Sequence, residues 1–178
     1  MHRTYLLALV LLPLMSCAKE EVAPDDDMEF VPGEVLLGTK EATTLPQAFA
    51  LINSRSLSIL SVSTPLYTSA LPLDSLGSIE RALNAKPYIN DGVWKAGVYR
   101  HALTGALTVT VRLMNMNLAN QQDWLATVQK LQLREQSNSA SYHLKVPVGQ
   151  EKKLVKELQQ QNEVRWAELN NIVHIDLH

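Results

Sequence analysis

From Ala106 to Leu113 the chain reads Ala-Leu-Thr-Val-Thr-Val-Arg-Leu, an alternation of apolar and polar residues rich in β-branched types. That pattern predicts a half-buried strand. Gln121 to Leu131 then carries Trp124, Leu125, Val128 and Leu131 at helical spacing, so one face of a helix is apolar. A short strand is expected from Leu131 to Arg134, followed by a turn at Ser137-Asn138-Ser139. Ser141 to Val148 alternates again through Tyr142, Leu144, Val146 and Val148. Gln150 to Gln161 is built from strong helix formers with Leu154, Val155 and Leu158 inward and lysines outward. Val164 to Leu169 and Ile172 to Leu177 supply a last strand, extended or broken at Asn170-Asn171.

The first half follows the same plan. Strands are expected near Glu34–Leu37, Leu57–Val62, Leu66–Leu71 and Val93–Arg100, with helices near Leu45–Asn53 and Asp74–Asn84. Pro65 and Pro72 fall at strand ends, where a missing N–H is tolerated. Sliding the chain by 76 residues pairs Val35 with Val111, Leu37 with Leu113, Ile52 with Val128 and Leu57 with Leu133. The offset then falls to 75, pairing Pro72 with Pro147, Ile79 with Leu154 and Leu83 with Leu158, and to 71, pairing Ala96 with Ala167 and Val98 with Leu169. The change of four falls in the loop-like stretch Ala85 to Gly92, where insertions belong. A repeat of strand, helix, strand, strand, helix, strand predicts an α+β chain of two tandem ferredoxin-like βαββαβ units. Residues 32–103 form the first and 104–178 the second, each an antiparallel sheet covered by two helices.

Ahead of the repeat, Met1-His2-Arg3-Thr4 is followed by an apolar run from Tyr5 to Met15 and then by Ser16-Cys17-Ala18. A basic start, an apolar core of about 7–15 residues and a small residue before the cut describe a secretory signal peptide, here residues 1–16. The run is shorter than the roughly 20 residues a bilayer span needs. Leu14-Met15-Ser16-Cys17 resembles the bacterial lipobox, whose cysteine becomes the lipidated first residue, and Cys17 is the only cysteine in the chain. Acyl chains on Cys17 would anchor the protein to the lipid bilayer. The expected location is therefore the bacterial cell envelope, and Ala18, in place of the aspartate that retains some lipoproteins at the inner membrane, favours the outer one. Residues 17–31 form a tether in which six acidic residues face Lys19 alone. So few apolar residues cannot bury enough surface to fold. A calcium site at Asp25-Asp26-Asp27 would need ligands spaced around a loop with a turn glycine, which this run lacks.

The 178 residues are 46% hydrophobic and 19% charged, which excludes collagen-like, low-complexity and wholly disordered classes. Beyond the tether, 14 basic residues meet 12 acidic ones, too even a balance for a nucleic-acid surface. No glycine-rich phosphate loop, nucleophile elbow, paired-histidine zinc helix or Cys-x-x-Cys is present. No cofactor or metal is expected, and the chain is read as a non-enzyme. His174, Asp176 and His178 would share one strand face with a metal-ligand set of residues, but a chain terminus frays, and exposure beside buried Val173, Ile175 and Leu177 is the plainer reading. Trp94, Trp124 and Trp166 could stack on bases or sugars; packing in the core or on a sheet face is the default for each.

Two stretches carry a family resemblance. Val31-Pro32-Gly33-Glu34-Val35-Leu36-Leu37, and Val146-Pro147-Val148-Gly149 with the helix and Val164-Arg165-Trp166-Ala167-Glu168-Leu169-Asn170 after it, resemble the opening and close of subtilisin-like protease propeptides, the fervidolysin-type prodomain in particular. The family's closing pattern is Val-x-Tyr-Ala-Glu-Pro-Asn, so Trp166 replaces the tyrosine and Leu169 the proline. The resemblance implies a ferredoxin-like fold, a sheet face that packs on the protease, and a tail after the last strand that enters the active-site cleft. It departs from the family in holding the opening motif in the first copy and the closing motif in the second, and in carrying no protease domain of its own.

These readings together lead to the expectation of a non-catalytic envelope lipoprotein that binds or inhibits a subtilisin-like protease in trans. Trp166, Ala167, Glu168, Leu169 and Asn170 would lie on the docking edge, with His174 and His178 on the cleft-directed tail. The alternative is a structural or small-ligand-binding module that uses a groove between the two sheets, lined by Trp94 and Tyr99.

Overall fold

The computed structural model describes residues 29–63, 66–89, 92–136 and 140–173. Cys17, His174, His178, the signal peptide and nearly all of the tether lie outside the described residues. Within them run β1 (Phe30–Thr39), α1 (Leu45–Ser54), β2 (Ser58–Ser63), β3 (Tyr67–Ser69), α2 (Leu76–Asn84) and β4 (Gly97–Arg100). The second half continues with β5 (Leu107–Thr110), β6 (Arg112–Met114), α3 (Leu118–Lys130), β7 (Leu133–Glu135), β8 (Ser141–Lys145), α4 (Glu151–Gln159) and β9 (Val164–Asn171). The expected helices and strands are present with shifted ends, except that the strand expected over Ile172–Leu177 is not formed at Ile172 and Val173, and its remaining residues lie outside the described residues. α3 starts three residues before the expected Gln121 because the Asn117 side chain accepts the Asn120 N–H at 2.9 Å and caps the first turn. β1 begins at Phe30, inside the expected tether, because Phe30 pairs with Asn171 at the far end of β9.

The strands form two antiparallel sheets, one in the order β6-β2-β8-β1-β9 and the other β4-β5-β3-β7. The sheets do not divide at the 103/104 boundary. β1 and β2 of the first half join β6, β8 and β9 of the second, while β3 and β4 join β5 and β7. β2 and β3, and likewise β7 and β8, are consecutive in sequence yet belong to different sheets, and the expected single strand 106–113 divides at Val111 so that each sheet receives one piece. Hydrophobic periodicity reports which face a residue occupies and leaves the identity of the neighbouring strand open.

Both sheets nevertheless share one internal order. In the larger, β2-β8-β1-β9 is the core to which β6 is added; in the smaller, β4-β5-β3-β7 has the same sequence of second, third, first and fourth strands. The smaller sheet and its helices, together with β6, thus lie within the connection between β2 and β8. α1 packs on β2, and α4 on β1 and β9, on one face of the larger sheet, with Phe49 edge-on to Tyr142 at 6.5 Å. α2 packs on β4 and α3 on β7, and Trp124 stands edge-on to Tyr67 at 5.8 Å.

The offsets between the halves recur in the geometry. α2 and α4 match residue for residue at 75, with Ile79 and Leu83 buried like Leu154 and Leu158. Ser56 and Gln132, 76 apart, are both left-handed residues just past a helix end, at φ 54° and 49°. Asn84 donates from its side-chain amide to Ala96 O at 3.3 Å, and Gln159 does the same to Ala167 O at 2.8 Å. The first strands diverge: Leu37 pairs with Ala167, whereas Leu113 pairs with Val62 in the same sheet.

Candidate functional site

Because side chains alternate across a strand, the larger sheet has a second face that α1 and α4 do not cover. Antiparallel register places Glu34 and Leu36 of β1, His143 and Lys145 of β8, and Trp166, Glu168 and Asn170 of β9 on it, with Ser61 of β2 and Met114 of β6 beyond. Apart from Ser61 these side chains are half-buried or exposed. The face is therefore an accessible platform rimmed by the edge strand β9.

The motif Trp166–Asn170 is divided between the two faces. Trp166, Glu168 and Asn170 look onto the open platform, while Ala167 is buried against the helices and Leu169 is half-buried on that side. The Trp166 indole lies across Gly38, its partner on β1: a Cβ at Gly38 would sit 2.2 Å from the indole Nε1 and Cε2. Only glycine leaves room for that ring. Ile172 and Val173, just past β9, are exposed at 37% and 78%, so the described chain leaves the sheet with its apolar residues outward.

A polar cluster sits at the middle of the platform. Glu34 Oε2 lies 2.7 Å from His143 Nε2 and accepts the Asn170 side-chain amide at 2.6 Å. Partial burial pushes the Glu34 carboxyl up, but the hydrogen bonds from Asn170 and His143 outweigh it and hold the group below the ordinary carboxylate range. Sequence reasoning offered Asn170 as a binding residue but neither Glu34, which it named only within the opening motif, nor His143. They stand at alternate positions of expected strands, yet only the pairing of β1 with β8 and β9 brings them together.

The same pairing joins the two stretches that carry the family resemblance. β1, from Val31-Pro32-Gly33, is flanked by β8 and β9. Gly33 O accepts the Val146 N–H at 2.8 Å, and the Gly33 N–H donates to Glu151 Oε1 at 2.6 Å. Glu151, 3% exposed at the first turn of α4, has a carboxyl that burial pushes up and the backbone N–H groups of Glu151, Gly33 and Gly149 pull down further, to below the usual value. Gly33 has φ of 80°, where a side chain would be strained and would also press on Val148 at 3.3 Å.

Elsewhere, a depression of about 360 Å3 opens where the two sheets meet, lined by Ser63, Trp94, Lys95, Thr110, Val111 and Arg112. Trp94 is 53% exposed and lies outside any strand, contrary to the expected strand from Val93. Tyr99 is not in this lining; it stands on β4 opposite Thr108, 43% exposed. A second depression, between the α1–β2 and β6–α3 turns, is bridged by the paired amides of Asn53 and Gln121 at 2.8 and 3.2 Å. Among the described residues no group of three His, Cys, Asp or Glu side chains could hold a metal ion, and no helix is long and apolar enough to cross a membrane. No protein-family model, curated protein or solved structure matches the chain.

Proposed function

We propose that this chain is a non-catalytic lipoprotein of the bacterial cell envelope, anchored by acyl chains on Cys17, that binds and inhibits a subtilisin-like protease in trans. The open face of the larger sheet is the docking surface, with Trp166 as its aromatic anchor and the residues after β9 directed to the protease cleft. In this reading β1-α1-β2 and β8-α4-β9 make one ferredoxin-like unit, and β3-α2-β4 and β5-α3-β7 make a second, inserted into the first.

The observation that carries the reading is the meeting of the opening and closing motifs. They are far apart in sequence and fall in different halves, yet β1 and β9 are hydrogen-bonded neighbours in one sheet. A propeptide unit holds both motifs in one sheet, and strand exchange supplies that arrangement here. Fold alone carries no function; the weight rests on the motif residues and the uncovered face beside them.

The test is binding and inhibition of subtilisin-like proteases by the full chain, by Trp166→Ala and by a chain ending at Asn170. Loss of about tenfold or more in affinity for Trp166→Ala fits an aromatic anchor at an interface, and truncation is expected to abolish inhibition. Unchanged affinity in both variants would count against this docking mode. A second reading, a small-ligand-binding envelope module with no protease partner, is favoured by the depression that holds Trp94 and Arg112 at the sheet junction.

A further inference from the structure

We infer that the depression at the junction of the two sheets binds a small oxyanion, a carboxylate- or phosphate-bearing molecule, through Arg112 and Lys95. The inference supplies a ligand class for the second reading above and does not depend on the protease. β6, which carries Arg112, lies at the opposite edge of the larger sheet from β9, four strands or roughly 19 Å away at ordinary strand spacing.

Three features point to an anion. The lining contains, among the described residues, two cations and no acid. Among the described residues, Lys86 and Lys153 have carboxylate partners, whereas neither Lys95 nor Arg112 forms an ion pair. The Arg112 guanidinium carbon lies 5.6 Å from the centroid of the Trp94 ring. A guanidinium held over an indole by cation–π attraction makes no conventional hydrogen bond to it, so its N–H fork remains available for a ligand. That fork matches the paired oxygens of a carboxylate or phosphate. The contact with the ring also favours this placement of the arginine before the ligand arrives, so less freedom is lost on binding.

The remaining lining suits the same chemistry. Ser63, across from Arg112 in the β2–β6 register, and Thr110 add hydroxyl groups at the rim, and the Thr110 hydroxyl reaches only a long 3.4 Å contact with Gly97 O within the protein. Val111 is buried beneath them and forms an apolar floor. At about 360 Å3 the space accommodates a small organic acid or a phosphate ester.

The experiment is a titration of the isotope-labelled full chain with inorganic phosphate, succinate and glucose at low ionic strength, following the Trp94 indole N–H resonance, assigned with Trp94→Phe. The expected result is a saturable shift with phosphate, succinate or both, weakened about tenfold or more in Arg112→Gln and in Lys95→Gln. Lys145→Gln, which removes an exposed cation from the same sheet face, should leave the shift unchanged. All three substitutions are at exposed positions, and melting curves matching the parent establish that each variant is folded. No saturable response to either anion, or an equal loss in Lys145→Gln, overturns the proposal. A response to glucose alone also overturns it, while leaving a ligand-binding module in place.

Discussion

Glu151 is the group whose removal most sharply tests how the larger sheet is held together. Its carboxylate accepts the N–H of Gly33 at 2.6 Å across 118 residues of sequence and sits at the N-terminal turn of α4. Glu151→Ala leaves the Gly33 N–H buried without its acceptor, at a cost of about 1.5–3 kcal/mol for a charge-assisted bond. The lost charge at the helix start adds about 0.3–1 kcal/mol. The total, about 2–4 kcal/mol, corresponds to a fall in Tm of about 4–16 °C for a domain of this size. Glu151→Gln keeps an acceptor oxygen and should lose about half as much. The pH dependence has a definite sign. The folded carboxyl titrates below its ordinary value of 4.5, so its contribution is present above that pH and is lost as pH falls through the folded value. Thermal melts from pH 3 to 7 should therefore bring the parent and Glu151→Gln together at the acid end, while the gap between Glu151→Gln and Glu151→Ala, neither of which titrates at this position, persists. Equal Tm values at pH 7, or a gap between parent and Glu151→Gln that does not narrow below pH 4.5, would refute the role given to this carboxylate.

Three further outcomes are expected. Gly38→Ala should lift the Trp166 indole from β1 and cost about 1–3 kcal/mol, visible as a lower Tm and a red-shifted emission that is absent when Trp166 is also removed. Burial pushes the Glu135 carboxyl up to about 7, so its ionisation opposes folding and stability from this group falls as pH rises from about 4.5 to 7; Glu135→Gln should raise the melting temperature at pH 8 and leave it unchanged at pH 4. Residues 1–103 and 104–178, produced separately, should each lack a cooperative melt and should recover one on mixing, because each sheet needs strands from both pieces.

The elements were legible in the sequence, and their partners were not. α2 and α4 fall where Ile79, Leu83, Leu154 and Leu158 place an apolar stripe, because a stripe of that spacing can be buried only as a helix. The alternation at Tyr142 and Leu144 likewise marked the buried face of β8, since both residues are buried. The same alternation is satisfied whether β8 pairs with β7 or, as observed, with β1 and β2, so it could not reveal the exchange between sheets. The candidate site suffered from this directly. Trp166 and Asn170 were found through the closing motif, whereas Glu34, in the opening motif, and His143 are polar residues in strands from different halves, and nothing near them in sequence announces their contact. The Arg112–Trp94 pair escaped for a related reason: Trp94 reads as a strand residue, and its exposure depends on the chain entering β4 only at Gly97.

The central claim is that the open face and the segment after β9 engage a subtilisin-like protease, and inhibition is its most direct measure. A titration of such a protease with the full chain, followed by hydrolysis of a chromogenic peptide, is expected to give slow, tight and saturable inhibition that is lost when the chain ends at Asn170. Full protease activity at micromolar concentrations of the folded chain, with no complex on size-exclusion chromatography, would contradict it.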